Sequence, residues 1–170
     1  HLTTRRQRQM CIRDSPEAQL DRFMFNIMVN YPTRNEEVSI VNSTTSNIDI
    51  KHKPIMTKKD IIEFQSFIPK VPIAESVVEF AVDLVNSTRP SNKSSSFAKK
   101  WIEWGAGPRA SQYLVLGAKA KALLDGKSSP SIKDIKSLAL PILRHRIIPN
   151  FNADAEGMKV EDIINELIKS

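Results

Sequence analysis

The chain has 170 residues, 41% hydrophobic and only 6% aromatic, and one cysteine, Cys11, which excludes an internal disulfide. Its formal charge of +6 is unevenly spread, because Arg5, Arg6, Arg8 and Arg13 stand against Asp14 alone in residues 1–15, so the basic balance is no sign of a nucleic-acid face. No apolar run reaches the roughly 18 residues a membrane span needs, no secretory pattern opens the chain, and His1, His52 and His145 lie too far apart to suggest a metal site; the expected compartment is the cytoplasm.

Residues 1–15 read as a foreign or disordered tail and are set aside from the fold. Pro16-Glu-Ala-Gln-Leu-Asp21 reads as a short helical turn, and 22–29 as a strand apolar on both faces that ends at Tyr31-Pro32. A strand buried on both sides belongs inside a sheet, and residues 16–32 are therefore expected to be the C-terminal end of an α/β core. From Thr33 the pattern turns helical. One helix is expected over about 33–43, and a second after Thr57-Lys-Lys-Asp60, a capping box with Asp in the place of Glu. A third opens at Pro72 and aligns Ile73, Val77, Ala81, Leu84 and Val85 on one face.

Residues 86–96 are rich in Ser and Asn and read as a loop, followed by a short extended piece, Lys100 to Trp104. Gly107-Pro108 then starts a helix, because proline at the first helical position loses only an N–H that has no intrahelical partner. That helix ends at Asp125-Gly126. Ser131-Ile-Lys-Asp134 begins another, which Pro141 is expected to kink before Arg144-His-Arg146, and Val160, Ile163, Ile164 and Leu167 mark a final amphipathic helix. The division expected is 1–15 tail, 16–32 end of the core, 33–90 linker and helices, and 91–170 helical lid.

Several groups of residues invite a chemical reading. Gly126-Lys127-Ser128 spells the end of a phosphate-binding loop, yet Lys121 stands where the earlier glycine belongs and a helix precedes it, so Gly126 reads as a helix cap. Arg144-His145-Arg146 reads as a basic helix end that complements the helix dipole. Trp101 and Trp104 read as packing residues rather than base-stacking ones. Arg109 is the unusual residue: a cation in the first turn faces the positive end of the dipole, at a cost of about 0.3–1 kcal/mol unless an anion offsets it.

Six segments occur in an order that resembles the MoxR-type AAA+ ATPases, relatives of the magnesium-chelatase ATPase subunit. They are Pro16-Glu-Ala-Gln-Leu-Asp-Arg-Phe23, Tyr31-Pro32, Met56-Thr-Lys-Lys-Asp60, Thr88-Arg-Pro90, Gly105-Ala-Gly-Pro-Arg-Ala-Ser111 and Leu143-Arg-His-Arg146. The resemblance implies a mainly α fold: a helical AAA+ lid bundle preceded by the last strand of a nucleotide-binding core. It implies that Arg109 is the sensor-2 arginine, which reaches from the lid to the γ-phosphate of ATP bound on the core. Arg22, in Leu-Asp-Arg-Phe, would be the arginine finger that enters the neighbouring subunit's ATP site.

The resemblance further implies ATP and Mg²⁺ in the parent protein, a homo-oligomeric ring of hexameric type, and client proteins to be remodelled or matured, those with a von Willebrand factor A-type domain among them. Walker A, Walker B and sensor 1 sequences do not occur in the chain, so no ATP turnover or tight nucleotide binding is expected from it alone. Gly107 also departs from the family, whose members usually carry serine there. The competing reading is an all-α nucleic-acid-binding or adaptor module without enzymatic activity.

Overall fold

A computed structural model describes residues 19–46, 53–91 and 96–169. The tail 1–15 and Pro16 to Ala18 lie outside the described residues, as do residues 92–95 of the expected loop. The described residues divide into two compact units, one lying within 27–66 and the other made of 19–26 with those within 67–169.

In the first unit, helix α1 (Arg34–Thr45) begins at Thr33 with a reciprocal cap: the Thr33 N–H donates to Glu36 at 2.8 Å, and the Glu36 N–H to the Thr33 hydroxyl at 3.4 Å. Helix α2 (Lys58–Phe67) repeats the device, with the Thr57 N–H donating to Asp60 at 2.7 Å and the Asp60 N–H to the Thr57 hydroxyl at 3.2 Å. Both boxes satisfy N–H groups that the first helical turn leaves open. Neither helix buries a residue.

The expected strand over 22–29 does not form. Leu20 to Met24 turns back on itself, and Phe25 to Val29 has no neighbouring strand among the described residues to complete a ladder. Phe23, Ile27, Met28 and Val29 consequently stay exposed.

The second unit is the helical bundle. Its elements are a 3₁₀ turn (Ile68–Lys70), α3 (Glu75–Ser87), α4 (Ser96–Trp101), β1 (Ile102–Trp104), α5 (Pro108–Leu124), α6 (Ile132–Leu143), β2 (Ile148–Pro149), α7 (Phe151–Glu156) and α8 (Val160–Lys169). α5 is central, packing on α3, α6 and the 3₁₀ turn. Its small residues make that possible: Ala110, Ala118 and Ala122 are fully buried, and a Cβ on Gly117 would stand 3.0 Å from a Leu138 methyl and 3.2 Å from the Met24 methyl. Leu114 of α5, Val77, Ala81, Leu84 and Val85 of α3, Ile135 and Ile142 of α6, and Ile163 and Ile164 of α8 fill the space between.

Several local expectations shift. α3 starts at Glu75 rather than Pro72, with Ala74 as its cap residue and Val71 buried ahead of it. Lys100 and Trp101 close a helix, and only Ile102 to Trp104 is extended, paired antiparallel with β2 through Ile102–Pro149 and Trp104–Ile148. Asn150 fastens this ribbon, since its side-chain amide donates to the Lys100 carbonyl at 2.9 Å and its N–H to the Trp101 carbonyl at 3.0 Å, while its oxygen caps α7. Trp101 is buried as a packing residue, whereas Trp104 is 69% exposed.

Candidate functional site

The start of α5 is fixed by two segments that lie far apart in sequence. The Thr88 hydroxyl donates to the Val85 carbonyl at 2.7 Å and accepts from the Ala106 N–H at 2.9 Å, and Arg89 Nε donates to the Ala106 carbonyl at 2.8 Å. Thr88-Arg89 thereby holds both backbone polar groups of Ala106, beside Gly105. Gly105 makes that approach possible, because a Cβ there would meet the Thr88 carbonyl oxygen at 2.3 Å. Gly107 is the cap residue with ordinary extended backbone (φ −80°) and open space around it, and Pro108 follows as the first helical residue.

Arg109, fixed in this first turn, meets an anion within the chain. Its Nη1 donates to Asp21 Oδ2 at 2.8 Å, with the Arg109 side chain 43% exposed. The other carboxylate oxygen of Asp21 accepts from Arg146 Nε at 2.9 Å. Arg146 is the buried member, its side chain only 1% exposed. Its remaining four N–H groups go to backbone carbonyls: Nη2 to Asp21 at 2.8 Å and Phe23 at 2.6 Å, and Nη1 to Met24 at 3.4 Å and to Ile142. A guanidinium has five N–H donors, and here each finds an acceptor. The guanidinium carbon also stands 5.2 Å from the centre of the Tyr113 ring, close enough for a cation–π contact.

Burial pushes the Arg146 guanidinium below its ordinary pKa, while its hydrogen bond to Asp21 pulls the other way. His145, beside it, shares a hydrogen bond with the Phe23 carbonyl through Nε2 at 3.0 Å. Burial, first, and then the neighbouring Arg146 charge lower its pKa against the effect of that bond. The imidazole is therefore neutral at pH 7 and donates from Nε2.

Arg22 has an exposed side chain, but its backbone is held, because the Tyr113 hydroxyl donates to the Arg22 carbonyl at 2.9 Å. Arg109 and Tyr113, one turn apart on α5, thus engage the consecutive residues Asp21 and Arg22. The structure brings both expected site residues into one neighbourhood, and it adds Asp21 and Arg146, to which sequence reasoning gave no site role. Asp21 and Arg146 are 125 residues apart, and no periodicity links them. The signal available was that each stands inside one of the six segments.

The reading of Arg144-His145-Arg146 as a basic helix end needs correction. Arg146 does reach the Ile142 carbonyl in the last turn of α6, but most of its donors fasten residues 21–24. Gly126 behaves as expected: it has φ +69° beyond the end of α5, the Lys127 N–H returns to Ala122 and the Gly126 N–H to Leu123. Lys127 is tied to Asp125 at 3.0 Å and Asp134 at 2.8 Å, which occupies it as a structural cation.

Residues 95–167 match the family model described as the AAA lid domain. The chain is 30% identical over 156 residues to Chaperone MoxR1 of Mycobacterium tuberculosis, a match covering 91% of this chain and 41% of that protein. It is 32% identical over 156 residues to the uncharacterized protein YeaC of Bacillus subtilis, covering 46% of it. The crystal structure of a candidate ATPase from Cytophaga hutchinsonii superposes with a TM-score of 0.79 at 34% identity, over 91% of this chain and 48% of that one.

The chain is similar to the C-terminal portion of MoxR-type AAA+ ATPases. It carries their helical lid and spans less than half the length of these relatives. The lid match begins at residue 95, whereas the compact unit that contains it also includes α3 and residues 19–26. Among the described residues no helix is long and apolar enough to cross a membrane.

Proposed function

We propose that this chain supplies the lid, and two phosphate-directed arginines, of a MoxR-type ATPase that forms a hexameric ring in the cytoplasm and remodels or matures client proteins, including those with von Willebrand factor A-type domains. In this reading Arg109 is the lid arginine that senses the γ-phosphate, and Arg22 is the finger that acts across the subunit interface. The observation that carries it is the placement of Arg109. A half-exposed guanidinium at a helix N-terminus, held by a single exchangeable carboxylate contact, is suited to an oxyanion. ATP with Mg²⁺ supplies the phosphoryl group to be transferred. The residues of this chain contribute positive charge at that group, and the phosphate cradle and Mg²⁺ ligands belong to Walker sequences that do not occur in it.

The test is steady-state ATP hydrolysis by a parent protein carrying this lid. Arg109→Ala and Arg22→Ala should each lower kcat, the finger variant by about 10³-fold or more, while the rings still assemble. Hydrolysis at the unsubstituted rate by either variant would overturn that residue's assignment. The 170-residue chain alone should show no ATPase activity, and turnover abolished by Lys127→Ala would reverse the structural reading of Lys127.

A further inference from the structure

Resting on the reading of Arg109 as a phosphate-sensing arginine, we propose that Asp21 is a positioning residue that holds Arg109 in its phosphate-free state and passes phosphate capture on to the turn that carries Arg22. Asp21 offers one carboxylate to two guanidiniums, and the two contacts are unequal. The Arg146 side is buried, and every N–H of that guanidinium is engaged. The Arg109 side is a single 2.8 Å contact between groups 43% and 33% exposed, the kind of pair whose net strength in water is small. Arg109 is therefore the half of the arrangement that can let go. A phosphate oxygen offers the same acceptor with more charge and competes directly with Asp21 Oδ2.

What happens next follows from the neighbouring contacts. Arg109 and Tyr113 stand four residues apart on the same face of α5 and hold Asp21 and Arg22 respectively. When Arg109 transfers to a phosphate, Asp21 loses one of its two counter-charges while Arg146 keeps the other. The Asp21-Arg22 turn then rests on Arg146 and Tyr113 alone, so the exposed Arg22 side chain is repositioned by an event at Arg109.

The experiment uses the full 170-residue chain with inorganic tripolyphosphate as the probe. The Arg109 Nε–H signal, identified by its loss in Arg109→Ala, is followed by nuclear magnetic resonance through the titration. Asp21→Asn is the informative variant. The buried Arg146 keeps the amide oxygen on its own side, and the amide N–H₂ is left facing Arg109, donor against donor. The titration midpoint at Arg109 should fall by up to about fivefold in Asp21→Asn, the range an exposed ion pair supplies. Asp83→Asn, which removes an exposed charge on α3, should leave the midpoint unchanged. In the unsubstituted chain the backbone amides of Arg22 and Phe23 should shift with the same midpoint as Arg109, a readout that holds even if Asp21→Asn folds poorly. A midpoint that Asp21→Asn leaves equal to that of Asp83→Asn, or an Arg22 amide that ignores the titration, overturns the coupling while the phosphate-sensing reading stands. If the Arg109 signal does not respond in any variant, that reading fails and the coupling falls with it.

Discussion

Arg146 and Asp21 are joined twice, by Nε to the carboxylate at 2.9 Å and by Nη2 to the backbone carbonyl at 2.8 Å. Side chain and main chain of one residue are thus held by one buried guanidinium. Removing that guanidinium leaves the carbonyls of residues 21 and 24 without this donor and the Phe23 carbonyl with His145 alone, and breaking a buried charged arrangement by deleting one partner costs about 3 kcal/mol. Arg146→Ala should lower unfolding stability in urea by that order. Arg146→Lys should recover little of it, because an ammonium has three donors radiating from one point and cannot span five acceptors. A lysine variant as stable as the unsubstituted chain would mean that charge alone matters and the fork geometry does not.

The two glycines that flank Ala106 should respond oppositely. Gly105→Ala forces a Cβ to within 2.3 Å of the Thr88 carbonyl oxygen and 2.8 Å of the Arg89 Cα, both backbone atoms that cannot move without breaking the grip on Ala106. A loss of about 2 kcal/mol or more is expected, in the range of overpacked sites. Gly107 has open space around it and an extended backbone at the cap position, so Gly107→Ser should stabilise by a few tenths of a kcal/mol through a new N-cap bond. Thermal unfolding of the two variants side by side checks both signs.

Much of this architecture was legible in sequence because it is local. The boxes at Thr33/Glu36, Thr57/Asp60 and Ser131/Asp134 and the glycine cap at Gly126 depend on residues within a few positions of one another. Helical spacing in turn identified the buried faces of α3 and α8. What local pattern could not reveal was set by distant partners. The apolar run at 22–29 has strand propensity, but a strand is completed by a neighbour, and among the described residues none pairs with it. Arg146 looks like any basic helix end until residues 21–24 are brought against it. For Arg109 the sequence posed the right question, what anion offsets a cation in a first turn, and the answer in this chain is Asp21.

Acid should act on the α5–α6 connection through Asp134. This carboxylate is buried, which pushes its pKa up. The Lys127 ammonium at 2.8 Å, with the N–H and hydroxyl of Ser131 at 2.8 and 2.7 Å, outweighs burial and holds it at about 2. With the folded value below the ordinary 3.8, the stabilisation is complete well above 3.8 and is lost as pH falls through 3.8 towards 2. The difference in unfolding free energy between the unsubstituted chain and Asp134→Asn should therefore be constant near neutral pH and shrink across that acid window. A difference that stays constant down to pH 2 would show that the carboxylate's charge is not what binds Lys127 and Ser131.

The roles proposed for Arg22 and Arg109 predict complementation between subunits. If Arg22 serves a neighbour's ATP, a ring made only of Arg22→Ala subunits has intact nucleotide sites but no finger at any of them. A ring made only of Walker B-disabled subunits has fingers but no competent site. Mixing the two should create interfaces where an intact Arg22 meets an intact Walker B, so ATPase activity should rise above that of either ring alone. Nucleotide affinity of the Arg22→Ala subunits should be unchanged throughout. Repeating the mixture with Arg109→Ala in place of Arg22→Ala asks the same of the lid arginine: if Arg109 senses the phosphate bound by its own subunit, those sites stay impaired whatever the neighbour carries, and activity should not return. Mixed rings that form, by mass measurement, yet regain nothing with Arg22→Ala would remove Arg22 from the trans-acting role. Recovery with Arg109→Ala would instead move the lid arginine to the same interface as Arg22, consistent with their shared attachment to the Asp21-Arg22 turn.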